Sequence, residues 1–100
     1  MGWANFAIEK LGKGETVQIR PRGNSMTGKV NDGALVTLAP CDPTILKTGD
    51  VVLVRVHGNV FLHLIKATNQ DRFLIGNNRG RINGWVGPNA IYGIAVKVEN

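Results

Sequence analysis

The sequence predicts a mainly β domain with a short N-terminal helix, and three observations carry that prediction. Thirteen glycines and four prolines break the chain roughly every eight to twelve residues, the rhythm of short antiparallel strands. Between the breaks, apolar residues tend to alternate with polar ones, the period of a strand with one buried face. Only the N-terminal segment departs from this pattern, placing Trp3, Phe6, Ala7 and Leu11 at helical spacing.

The helix comes first, and Gly12 or Gly14 would end it. Segment 1–14 therefore reads as a lid docked on a sheet. Thr16 to Arg20 alternates, with Val17 and Ile19 on one face, and Pro21 stops it. Ala34 to Ala39 is a second strand, closed by Pro40 and Pro43. Val51 to Val56 and Asn59 to Ile65 read as a hairpin turning at His57-Gly58. In its second arm Val60, Leu62 and Leu64 share one face, and Phe61, His63 and Ile65 share the other. Arg72 to Ile75 is a short strand, Gly76 to Gly84 a polar loop, and Ile91 to Val98 the final strand. With no repeat or linker, the 100 residues form one domain, 1–100. Its β part, 15–100, is an open or partly barrel-like antiparallel sheet.

Composition narrows the functional classes. A chain that is 43% hydrophobic and 19% charged is globular. No uncharged apolar run approaches the ~20 residues of a spanning helix. Met1 to Lys10 also lacks the basic start and apolar stretch of a signal peptide. The expectation is a soluble, cytoplasmic protein with no membrane partner. Cys41 stands alone, so no internal disulfide can form. With His57 and His63 as the two imidazoles, no metal site and no cofactor is expected. The net charge of +5 and pI near 9.9 suit acidic partners. The basic residues are scattered and aromatics are few, which argues against nucleic acid as the primary partner.

Candidate chemistry lies at two places. Arg22-Gly-Asn-Ser-Met-Thr-Gly28 is a dense small-residue bend holding Ser25. Such a bend is either a plain turn or a place where a hydroxyl and free backbone N–H groups are exposed together, as acyl transfer requires. His63, inside an apolar strand, is either a hydrogen-bonded core residue or a general base titrating near neutral pH. His57 falls in a turn, and Lys66 points to the face opposite His63.

The motifs Gly23-Asn-Ser-Met26, Asp32-Gly-Ala-Leu-Val36, Lys47-Thr-Gly-Asp-Val-Val-Leu-Val54 and Gly58-Asn-Val-Phe-Leu-His63 occur in that order. Phe73-Leu-Ile-Gly-Asn-Asn78 and Ile91-Tyr-Gly-Ile-Ala-Val96 follow them. Together they resemble the LexA/signal-peptidase-like serine peptidases from about Thr16 to the C-terminus. The resemblance implies a coiled antiparallel β-sheet domain with Ser25 as nucleophile. Its base position, a lysine in bacterial and LexA-type members, holds His63, as in the signal peptidases of archaea and the endoplasmic reticulum. It implies backbone N–H groups of Asn24 and Ser25 as oxyanion donors, with Met26 in support. Where that type carries acids, this chain has Gly76-Asn77-Asn78 and Asn83. Asp71 is then the supporting carboxylate, and Asp50 serves the turn before its strand. The implied activity is a soluble serine endopeptidase, a Ser-His dyad processing a protein or peptide precursor in trans, as nickel superoxide dismutase maturation proteases do. The apolar strands Val17–Ile19 and Val51–Val54 would line its extended-peptide groove. The alternative is an inactive peptidase-fold module docking on a protein or nucleic-acid partner. UmuD-like relatives of this kind also form homodimers.

Overall fold

Alternating strands bury one face each, and a strand that is apolar throughout must be covered on both. The chain solves this with one sheet that has a core on either side. The computed structural model describes residues 3–100; Met1 and Gly2 of the expected helical segment lie outside the described residues. Helix α1 (Trp3–Gly12) leads into strands β1 (Val17–Ile19), β2 (Leu35–Ala39), β3 (Val51–Val56), β4 (Asn59–Asn69), β5 (Arg72–Gly76), β6 (Ile82–Val86) and β7 (Ile91–Glu99). All pair antiparallel in one sheet, ordered β1-β2-β7-β3-β4-β5-β6. The mainly β class and the N-terminal helix agree with the sequence.

β3 is the centre. It is bonded to β4 on one side and β7 on the other. Leu53 enters the core under α1, together with Val36, Leu38, Leu62 and Leu64. Val52, Val54 and Val56 enter the opposite core with Ile65, Phe73, Ile75 and Ile91. The amphipathic face of α1 closes the first core through Ala7 and Leu11. The second closes because the sheet curls until β6 meets β3. Bulges at Thr37/Leu38, Leu53/Val54, Ile65/Ala67 and Ile75/Gly76 supply the bend, since an extra residue on one strand increases local twist.

Three features differ from the sequence reading. Ile82–Val86 is a strand where the glycine and asparagine content predicts loop. β4 runs on to Asn69 because the bulge at Lys66 lets the chain continue pairing with β5. Val51–Val54 cannot line a strand-addition groove, because both edges of β3 are already bonded; β1 and β6 are the sheet edges. The β3–β4 turn falls at the expected place. His57 (φ 50) and Gly58 (φ 85) both take the positive φ that a two-residue hairpin turn requires.

Gly93 sets the distance between helix and sheet. It is buried opposite Leu53 in the β3–β7 pairing. A Cβ there would lie 2.8 Å from the Ala39 carbonyl oxygen and 2.9 Å from Leu11 Cδ1. Gly93→Ala should therefore cost about 1–3 kcal/mol by overpacking. A lowered urea midpoint at unchanged slope is the expected reading, and an unmoved midpoint would disprove the close approach.

Candidate active site

The bend between β1 and β2 is held by its own polar side chains. Gly23 (φ 111) and Gly28 (φ 99) take left-handed conformations that other residues rarely adopt. Asp32 accepts from Gly23 N–H at 2.7 Å, Asn31 Oδ1 from Gly28 N–H at 3.1 Å, and Val30 N–H donates to Met26 O at 2.7 Å. Met26, 4% exposed, is sunk into the core under α1. Its burial anchors the bend next to Ser25.

A second loop straps this bend in place. Asn78 N–H donates to Ser25 O at 2.9 Å, and Asn78 Nδ2 to Thr27 O at 2.8 Å. A Cβ at Gly28 would crowd this strap, lying 3.2 Å from that Nδ2. Asn77 Oδ1 accepts from the N–H groups of Arg79 and Arg81 at 2.8 and 2.9 Å, which shapes the β5–β6 turn. These asparagines are structural residues, and the Asn-Asn pair after a short strand was their one sequence signal.

β4 carries His63 to the bend. Its ring stacks on Phe61, centroids 4.7 Å apart at 19°, as residues two apart on one strand face can do. Nε2 lies 3.4 Å from Ser25 Oγ, and Nδ1 lies 2.7 Å from Asn83 Oδ1. The amide oxygen can only accept, so Nδ1 carries the proton and Nε2 presents its lone pair to the hydroxyl. The serine contact is long for an O–H···N bond, by roughly 0.5 Å. Such contacts are often loose in unliganded sites and tighten around substrate. His63 is buried, and this desolvation lowers its pKa below 6.5. The Asn83 bond acts in the opposite direction, and the charge of Arg81 lowers it further. At pH 7 the imidazole is neutral.

Ser25 and His63 are thus brought together, while Asp71 is not brought to them. Asp71 sits at the tip of the β4–β5 hairpin, beside the Asn69–Arg72 pair. There it lines a separate cleft of about 480 Å³ with Pro43, Phe73 and Pro88. The chain must run the length of β5, on the order of 15 Å at 3.3 Å per residue, before it reaches the level of His63. The group that meets Nδ1 is Asn83, delivered by β6. Asp50 instead accepts from Lys47 N–H at 3.0 Å and pairs with its ammonium at 3.1 Å, the turn role read from sequence. Lys66 lays its methylenes over Gly76, and no hydrogen bond joins it to Ser25.

Among the described residues, the backbone N–H groups of Asn24 and Ser25 have no intramolecular acceptor, so both remain available to an oxyanion. Beside Ser25 opens a cleft of about 420 Å³, lined by Arg20 to Gly23 of the bend, by Val60 to His63 of β4, and by Trp3, Met26 and Val30. No group of three His, Cys, Asp or Glu among the described residues is placed to hold a metal ion, and no helix there is long and apolar enough to cross a membrane. No protein-family model matches the chain, and no curated protein matches it significantly.

Because the folded pKa of His63 is depressed, the folded state resists taking up its proton. Stability from this group is fully present above about pH 6.5 and is lost as pH falls through the lower folded value. Urea titrations should show stability declining from pH 7 to 5. His63→Gln should remove part of that slope; an unchanged slope would contradict the burial argument.

Proposed function

We propose that this chain is a serine endopeptidase of the LexA/signal-peptidase-like kind, acting in trans on a protein or peptide precursor. One observation supports it above others, the ordered relay from Ser25 Oγ to His63 Nε2 at 3.4 Å and from His63 Nδ1 to Asn83 Oδ1 at 2.7 Å. The relay puts a serine hydroxyl and a neutral imidazole in the order that proton transfer from Ser25 requires.

In this reading His63 Nε2 takes the proton from Ser25 Oγ as the oxygen attacks the scissile carbonyl. The carbonyl becomes an oxyanion held by the N–H groups of Asn24 and Ser25. Loss of one such donor typically costs about 10²–10³ in rate. The imidazolium then protonates the leaving amine, and water repeats the sequence to free Ser25. Asn83 fixes the tautomer, as an aspartate would, but brings no charge to stabilise the imidazolium. An extended substrate can reach the cleft along the free edge of β1.

A non-catalytic docking module on the same scaffold is the second reading. The observation favouring it is the amide at position 83, which leaves His63 a weaker base than a carboxylate would.

A fluorophosphonate probe distinguishes the two. Ser25 should label with a pH midpoint below 6.5, following the depressed pKa of His63, and Ser25→Ala should abolish labelling. His63→Ala should reduce it by about 10²-fold or more. Absence of labelling in a folded protein from pH 5 to 10 refutes the enzyme.

Asn83→Asp should raise the His63 pKa, since an adjacent carboxylate favours the imidazolium. The plateau rate of labelling should rise with it, up to about tenfold per unit of added basicity. NMR titration of the His63 ring protons reads the first effect. A pKa unmoved or lowered would refute the Nδ1–Asn83 contact.

A further inference from the structure

We propose that the cleft beside Ser25 selects a peptide carrying an aspartate or glutamate side chain, held by Arg20 and Arg22. The proposal rests on the reading of this cleft as a peptide site and adds the chemical class of its ligand. Both arginines lie on the wall that leads from β1 to Ser25. Arg22 is three residues before Ser25, so their backbones are separated by at most about 11 Å. Arg20 Nη1 donates to Gly33 O at 3.0 Å. That bond orders the side chain beside Gly33 and leaves its other N–H donors for a ligand, since a guanidinium has five.

Neither arginine is held in an ion pair among the described residues, and no aspartate or glutamate lines the cleft. Asp32, the carboxylate of the same bend, accepts the Gly23 N–H through Oδ1 at 2.7 Å and forms no salt bridge with either arginine. The remaining surfaces are apolar, formed by Met26, Val30, Val60, Leu62 and the half-exposed ring of Trp3. A cleft lined by two cations and several aliphatic side chains matches an extended peptide whose aliphatic residues flank one carboxylate. Planar guanidinium donors are suited to that carboxylate. A phosphate would satisfy the same donors. The aliphatic lining and the volume of about 420 Å³ favour the peptide.

Binding to full-length Ser25→Ala tests this without requiring turnover. Fluorescein-labelled eight-residue peptides of alanine and valine would carry a single Asp, Asn or Lys scanned through every position, with anisotropy as the readout. At one or two adjacent positions Asp should bind about fivefold tighter than Asn, the size of a partly exposed ion pair, and Lys should bind more weakly. Arg22→Gln and Arg20→Gln should each reduce that preference, and 0.5 M salt should suppress it. Apolar peptides that bind with no preference for Asp would overturn the inference while the peptide-site reading stood. The absence of any peptide binding would overturn it as well. An oligonucleotide of eight residues that binds tighter and displaces the Asp peptide would reassign the arginines to phosphate. Acid preference without fluorophosphonate labelling of wild-type Ser25 would keep the inference and remove the enzyme.

Discussion

The contact on which the site depends is the backbone crossing at Gly76. This glycine pairs with Leu64 of β4 on one side and Ile82 of β6 on the other. A Cβ there would lie 2.6 Å from the Arg81 carbonyl oxygen and 3.0 Å from Lys66 Cγ. The first neighbour is backbone and cannot swing away. Only a glycine lets the chain fold back so tightly that β6 starts within reach of β4. From that crossing two consequences follow. Asn78 is carried over the Ser25 bend, and Asn83 is carried to the far nitrogen of His63. The strap and the relay therefore share one hinge, and the bulge at Ile75/Gly76 gives it its direction.

Burial decides the chemistry of His63. An imidazole in contact with a phenyl ring and withdrawn from water pays for charge, so its neutral form dominates near pH 7. A neutral base must still be held in the right tautomer, and in a buried site an unpartnered Nδ1–H would be costly. Asn83 meets both needs with one hydrogen bond of 2.7 Å. Among the described residues no buried side-chain polar atom is left without a partner. The relay thus belongs to the packing of the fold as much as to any reaction.

Much of this was legible in the sequence, and the limits have physical causes. The helix, the hairpin at His57-Gly58 and the strands around the Gly and Pro breaks follow from periodicity that local sterics enforce. The bend and the strand each left Ser25 and His63 open to a structural reading, and it was the resemblance of the ordered motifs that joined them as a pair. β6 was not legible, since Asn83-Gly84 interrupts the strand formers Ile82, Trp85 and Val86, and the segment is held by pairing with β5 and contact with β3, which are long-range. Asn83 was hidden with it. Periodicity alone gave no reason to prefer an amide in a polar loop over a carboxylate at Asp71, and only the length of β5 removes Asp71 from consideration. The double pairing of β3 was likewise invisible, because an apolar run such as Val51–Val54 is equally compatible with an edge or a centre.

The charges around the site form a consistent set. The relay contains no anion, Arg81 bears on His63, and Arg20 and Arg22 border the cleft. A positive field disfavours the imidazolium and favours an anion forming at Ser25 or arriving with a ligand. A carboxylate at position 83 would shift that balance toward the imidazolium, strengthening the base while drawing part of the cationic field away from the oxyanion side. The amide keeps the geometry of a triad and leaves the field intact. In a site arranged this way, the negative charge is supplied by what enters the cleft.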